Sequence, residues 1–263
     1  MPELAELKLT ADYINESASG LKYKTIEKNP VHKGEEVNKP FNNFEITAES
    51  RGKELVLNFL CPESKKEEKL FMTMGMSGHF SQTYTGDEKK HAHLKFRATN
   101  GTTLSFVDVR RFGKWKFKQN WSKDRSPDPT QDFKSFKDNV YSNLDRAAFN
   151  HPIHLALMNQ KYFNGIGNYL RAEILYRLPH IDPFLNSREV ILNEPRILEM
   201  CRDIPNLAYI RGGGSIRDWD NPFGESAIQE KFMLCYGNPD MSKVRDKNGR
   251  MFWYDSKWDK KGE

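Results

Sequence analysis

The chain has 263 residues, with 41 Lys and Arg against 36 Asp and Glu, and a formal net charge of +5. That length suits about two domains, and the modest basic excess is compatible with a polyanionic partner without demanding one. No run of about 18 apolar residues occurs, which excludes a membrane-spanning helix, and 12% aromatic residues are too many for a chain disordered throughout. Cys61, Cys201 and Cys235 are far apart and form no C-x-x-C pair, so reduced thiols are expected rather than zinc ligands or a disulfide framework. Without a leader pattern at the start, an intracellular protein is expected, nuclear if the source is eukaryotic.

Residues 1–20 predict a helix. Leu4, Leu7, Ala11, Ile14 and Ala18 recur at steps of three and four, and Gly20 stands where a C-terminal cap belongs. The period then changes. Tyr23–Ile26, Phe44–Thr47, Leu55–Leu60, Leu70–Met74, His79–Thr83, Leu94–Ala98 and Leu104–Val109 predict short strands, with a hairpin turn at Thr99-Asn100-Gly101. So many short strands in about a hundred residues predict an antiparallel sandwich or barrel. The segment NWSKDRSPDPTQD, residues 120–132, breaks every period and predicts an interdomain linker. Beyond it, Phe133–Leu144, Pro152–Gln160, Tyr169–Leu178 and Ser226–Tyr236 predict helices, with Pro152 at a first helical position and Asn168 as a cap. Met241–Tyr254 predicts a hairpin turning at Asp246-Lys247-Asn248-Gly249.

Several segments could carry chemistry. Removal of Met1 would leave Pro2 as a secondary amine, which forms an iminium with a carbonyl-like carbon and so an electron sink for elimination. Glu3 could shuttle protons beside it, with Glu6 one turn on; yet many chains begin Met-Pro without catalytic purpose. Lys53, in the turn Ser50-Arg51-Gly52-Lys53-Glu54, is either a phosphate-binding or second amine or a solvated turn residue. Met76 lies in the glycine-flanked run Gly75–Gly78 and is either a wedge into a base stack or a core methionine. His91 and His93 could pair on a strand, but no third metal ligand follows. Asp108–Trp115 sets Arg110, Arg111 and Phe112 before a glycine, which suits a loop entering nucleic acid or a bulge with Arg–Asp pairing. Phe163–Tyr169 is a Gly-rich turn able to present N–H groups to an anion, with Arg171 adding charge one turn in. Residues 211–218 form a second glycine-rich loop, and Arg250 lies at the tip of the last hairpin.

Taken in order, these segments resemble the formamidopyrimidine-DNA glycosylase/endonuclease VIII family of base-excision repair enzymes. FNGIGNYLRAEILYR at 163–177, HAHLKF at 91–96 and a terminal hairpin without cysteine ligands are similar to its endonuclease VIII-like 1 branch. The resemblance implies an α+β fold. A catalytic helix and antiparallel β-sandwich would occupy 1–120, with a linker at 121–132. An all-helical helix-two-turn-helix domain would fill 133–236, and a zincless finger with a short tail 237–263.

It also implies a bifunctional DNA glycosylase/abasic-site lyase for oxidised bases, mainly pyrimidine and ring-opened. The expected partner is damaged double-stranded or bubble DNA, bound by a monomer without zinc or any other cofactor. By the same resemblance Pro2 is the nucleophile, Glu3 the proton shuttle and Lys53 a phosphate contact that supports the lyase step. Met76, Arg110 and Phe112 fill the void left by a flipped nucleotide, Asn168 and Arg250 clamp phosphates, and Glu6 lies near the flipped base. Chemistry favours Pro2 over Lys53 as nucleophile, because an α-amine titrates near 8 against about 10.4 for a lysine. Leu4 and Ala5 stand where the family usually has Gly and Pro. That departure leaves a lesion-binding protein that does not cut as an alternative, beside an 8-oxoguanine-preferring enzyme of the same family.

Overall fold

In a computed structural model, the described residues are 1–37, 43–214, 216, 219–225 and 232–259. They divide into two compact units, Met1–Trp121 with Ser215–Ile228, and Ser122–Gly214 with Gln229–Glu263.

The first unit opens with α1 (Leu4–Ala18), whose N-terminus is closed by a capping box between Glu3 and Glu6. Leu7, Ala11, Ile14 and Ala18, the periodic positions of the sequence, all join the core. Gly20 follows with φ of 68°, the left-handed stop expected after a helix.

Two four-stranded antiparallel sheets come next. One has the order β1 (Tyr23–Lys28), β6 (Ala92–Ala98), β7 (Thr102–Val107) and β5 (His79–Tyr84). The other has β2 (Glu45–Arg51), β3 (Glu54–Cys61), β4 (Lys66–Thr73) and β8 (Lys114–Phe117). Their inward positions share one core, in which Tyr23, Phe44, Phe59 and Phe96 stand in sequence at ring separations of 5.8, 5.4 and 5.9 Å. The expected sandwich is thus present. The strand β8 is an addition, because KWKF is too short to show a period beside the glycine bend. The Phe44–Thr47 strand runs on to Arg51, and Leu104–Val109 starts two residues earlier and stops at Val107.

The second unit is helical apart from one hairpin: α2 (Phe133–Tyr141), α3 (Ile153–Ala156), α4 (Asn168–Tyr176), α5 (Ser187–Asn193), α6 (Arg196–Ile210), then β9 (Ser242–Arg245) paired with β10 (Met251–Tyr254). Several expectations are corrected here. The helix expected over Pro152–Gln160 is a single turn with Pro152 just outside it, and residues 158–167 form turns. Asn168 is not the cap of α4 but its first residue, after Gly167. Helices α5 and α6 are additions to the expected elements; α6 starts after Pro195 and carries Pro205 in its interior. Of the helix expected over Ser226–Tyr236, residues 232–236 are not helical and the rest lies outside the described residues.

Residues 122–132, within the expected linker, group with the second unit. Ser126 is buried, its N–H donates to the Gln160 carbonyl at 3.0 Å, and its hydroxyl accepts from the Asn164 N–H at 2.9 Å. Among the described residues no helix is long and apolar enough to cross a membrane.

Candidate active site and nucleic-acid interface

Pro2 and Glu3 lead directly into α1, and both are buried. The Glu3 N–H donates to the Glu6 carboxylate at 2.8 Å, so the helix start is fixed by its own third residue. The expected neighbour of a flipped base, Glu6, has no exposed surface here and holds the backbone of the expected proton shuttle. Met1 is half exposed ahead of them.

Lys53 is set by a two-residue hairpin turn between Arg51 and Glu54. Gly52 takes φ of 57° at the first central position, as a type II′ turn requires, and Lys53 follows with its side chain partly exposed. The turn therefore presents Lys53 at the end of a rigid strand pair.

The three expected void-filling residues converge. Met76 sits in the turn between β4 and β5, and the Arg110 guanidinium approaches its sulfur at 3.3 Å. Phe112 is adjacent, because Gly75 lies against the Phe112–Gly113 backbone. A Cβ at position 75 would stand 2.7 Å from the Gly113 nitrogen, and φ there is 64°, so only glycine suits both demands.

A buried aspartate builds this cluster. Asp108 has no exposed surface, and its carboxylate accepts from the Ser77 hydroxyl at 2.5 Å, the Arg110 N–H at 3.2 Å and the Gly113 N–H at 2.7 Å. Its carbonyl accepts from the Arg111 N–H at 3.2 Å and from His93 Nε2 at 2.9 Å. Burial pushes His93 down from its ordinary value, so it is the neutral ring that donates. With these bonds inside, Val109, Arg110, Arg111 and Phe112 all point outward, Phe112 being 57% exposed. Arg111 also takes φ of 58°, a conformation the loop holds through the bonds around it. Ser77 and Asp108 were missed as organisers; the available signal was an Asp followed by N–H donors two and five residues on.

In the second unit, Asn168 donates from Nδ2 to the Met251 carbonyl at 2.9 Å and accepts from Arg171 at 2.6 Å, so its amide is oriented with one N–H remaining. The Gly-rich turn before it uses its N–H groups internally: Asn164 on Ser126 and Gly165 on Gln160, at 2.9 and 3.0 Å. The expectation that this turn offers its N–H groups to an anion is therefore not met at Asn164 and Gly165. Arg171, expected to add charge there, is instead fully buried and ion-paired with Asp246 at 2.8 Å. Arg250 is exposed beside the hairpin turn. His91 and His93 have ring centroids 6.4 Å apart, and among the described residues no three His, Cys, Asp or Glu side chains gather for a metal ion. Of the second glycine-rich loop, 215, 217 and 218 lie outside the described residues.

Comparison with known proteins adds a lineage to this geometry. The family model of the formamidopyrimidine-DNA glycosylase N-terminal domain matches residues 1–115, and that of the endonuclease VIII-like 1 DNA-binding region matches 226–258. Endonuclease 8-like 1 of Homo sapiens is 36% identical over 97% of this chain and 72% of its own length. The formamidopyrimidine-DNA glycosylase of Acinetobacter baylyi is 32% identical over 65% of this chain and 64% of its own.

Among solved structures, the MutM (Fpg) protein from Thermus thermophilus superposes with a TM-score of 0.76 at 19% identity, covering both chains completely. A Lactococcus lactis Fpg in complex with a Fapy-dG-containing DNA gives 0.79 at 22%, covering 99% of this chain and all of the other. These two likenesses carry the fold. The identity to the endonuclease 8-like 1 proteins along nearly the whole chain carries more: the chain belongs to the formamidopyrimidine-DNA glycosylase/endonuclease VIII family of DNA repair glycosylases, on its endonuclease 8-like 1 branch.

Proposed function

We propose that this DNA glycosylase of base excision repair is bifunctional, removing oxidised pyrimidines and ring-opened bases and then cleaving the strand. The observation that carries the reading is the outward cluster of Met76, Arg110 and Phe112, held by Asp108, in the unit that also presents Pro2 and Glu3 at the start of α1. Extruding a nucleotide costs a few kcal/mol, and a thioether, a guanidinium and a phenyl ring offer contacts that offset it.

Once Met1 is removed, the Pro2 nitrogen attacks C1′ of the damaged nucleoside, the C1′–N bond to the base breaks, and the departing base takes up the proton that the Pro2 nitrogen gives up. Glu3 gives its proton to the ring oxygen O4′ as the C1′–O4′ bond opens, leaving an iminium between C1′ and Pro2. The iminium has no N–H to lose and stays cationic, so loss of a C2′ proton expels the 3′ phosphate and cuts the strand. Lys53 meets a phosphate near the abasic sugar. Asn168 and Arg250 hold further phosphates, which makes binding steeply salt-dependent.

Excision of thymine glycol and of 8-oxoguanine, each opposite its normal partner and followed by strand analysis, tests this. Excision of thymine glycol coupled to strand cleavage is expected to dominate. Preferential release of 8-oxoguanine would overturn the substrate assignment, and binding without incision would favour a lesion sensor that does not cut.

A further inference from the structure

The β9–β10 hairpin presents a physical problem. Two four-residue strands that pair only with each other are marginal in water, yet Arg250 must be held steady to meet a phosphate. Among the contacts that tie the hairpin to the rest of the unit, two stand out. One is Phe252, fully buried and stacked on His154 at 4.7 Å with the rings 14° apart. The other is polar. Arg171, on α4, has no exposed surface, and four of its hydrogen bonds stay within the unit. They run to Asn168 Oδ1 from Nε and Nη2 at 3.1 and 2.6 Å, to the His154 carbonyl at 3.0 Å and to Asp246 Oδ2 at 2.8 Å. Its guanidinium also lies 4.9 Å over the Phe252 ring.

Asp246 completes the connection. While Oδ2 takes Arg171, Oδ1 accepts the N–H of Asn248 and of Arg250, each at 2.9 Å, and the Asp246 N–H donates to the Arg250 carbonyl at 2.8 Å. The backbone of Arg250 is therefore held on both sides by the residue that Arg171 holds.

We propose that Arg171 and Asp246 are positioning residues for DNA binding: their buried ion pair staples the terminal hairpin to α4 and fixes Arg250, without either side chain touching DNA. A buried pair returns little net stability for its desolvation, and fixing a register is its best-attested use. The same Asn168 amide that joins the pair on one side bonds the Met251 carbonyl on the other, so both expected phosphate clamps are set by one network.

The proposal rests on Arg250 meeting DNA, and its test has two independent arms in the full chain. In the first, hydrogen exchange of the hairpin amides is compared between wild type and Asp246→Asn without DNA. The staple predicts faster exchange across 242–254 with the β-sandwich amides unchanged; equal exchange in the hairpin overturns it, whatever Arg250 does.

In the second, affinity for a duplex carrying a tetrahydrofuran abasic analogue is measured against salt for Asp246→Asn, Arg250→Ala and the double variant. Each single change should weaken binding by roughly tenfold and lower the log–log salt slope by about 0.9. The double variant should match the singles, because both remove one contact. Losses that multiply, or an Asp246→Asn variant that binds as wild type beside a weakened Arg250→Ala, overturn the positioning role. An Arg250→Ala variant that binds normally contradicts the phosphate contact itself, and the staple then stands or falls on the exchange arm.

Discussion

The two units solve the same problem differently. Each holds exposed residues, proposed above to meet DNA, by a buried aspartate placed just before them, Asp108 before Arg110 and Phe112, Asp246 before Arg250. The Asp108 carboxylate takes bonds from a hydroxyl and from backbone N–H groups, reaching from its own loop to Ser77 on the neighbouring turn. Asp246 likewise takes backbone N–H groups of its own turn, and in addition a guanidinium from 75 residues away. A cradle of neutral donors shapes a loop locally; an ion pair across that distance joins two elements. The wedge loop is thus expected to shape lesion extrusion, and the hairpin to hold the duplex.

The largest expected effect belongs to the proposed proton shuttle rather than to either holder. Glu3→Gln should lower excision by roughly two to four orders of magnitude while binding of the abasic analogue survives. A parallel loss of binding would mean that Glu3 serves the fold rather than the reaction.

Acid should strike both regions, and by a related cause. Burial pushes His154, stacked under the hairpin, down to about 4, and His32, His79 and His93 in the first unit are lowered in the same direction. Their neutral forms are favoured in the fold, so the unfolded chain takes up protons first. The contribution of these histidines to stability should be fully present above about 6.5 and be lost as pH falls toward 4, with His154 accounting for about 3 kcal/mol. Denaturant titrations across that range should show the decline, and His154→Phe should flatten part of it. A profile unchanged between wild type and variant would remove His154 from the explanation.

Asp108→Asn should separate the two holders more finely. Excision from a duplex is expected to fall by roughly tenfold, with little change on a single-stranded lesion, where no extrusion is needed. Equal loss on both substrates would show that the cluster shapes the catalytic centre rather than the extruded helix. The smallest effect is a slope: Arg250→Ala should reduce the salt dependence by about 0.9, and Phe112→Ala should leave it as it was.

Much of the first unit was legible in the sequence because its signals are local. The period of Leu7, Ala11, Ile14 and Ala18 marked α1, Gly20 its end, and Asn100-Gly101 a turn between strands. The second unit was less so, since α6 carries Pro205 in its interior, where local signals disfavour a proline. The exposed site candidates could be picked from residue type and motif. Their holders could not, because the pairing of Arg171 with Asp246 depends on a contact between distant segments that no spacing encodes. Arg171 was legible as a charge, and only the fold shows that the charge is spent inside.

The reaction itself is most directly tested by borohydride reduction during turnover on a duplex carrying thymine glycol, using protein whose mass shows Met1 removed. A covalent adduct that peptide mapping assigns to Pro2 is the predicted result. A processed protein that binds this duplex yet yields no adduct, or one mapped to Lys53, would contradict the N-terminal amine as nucleophile.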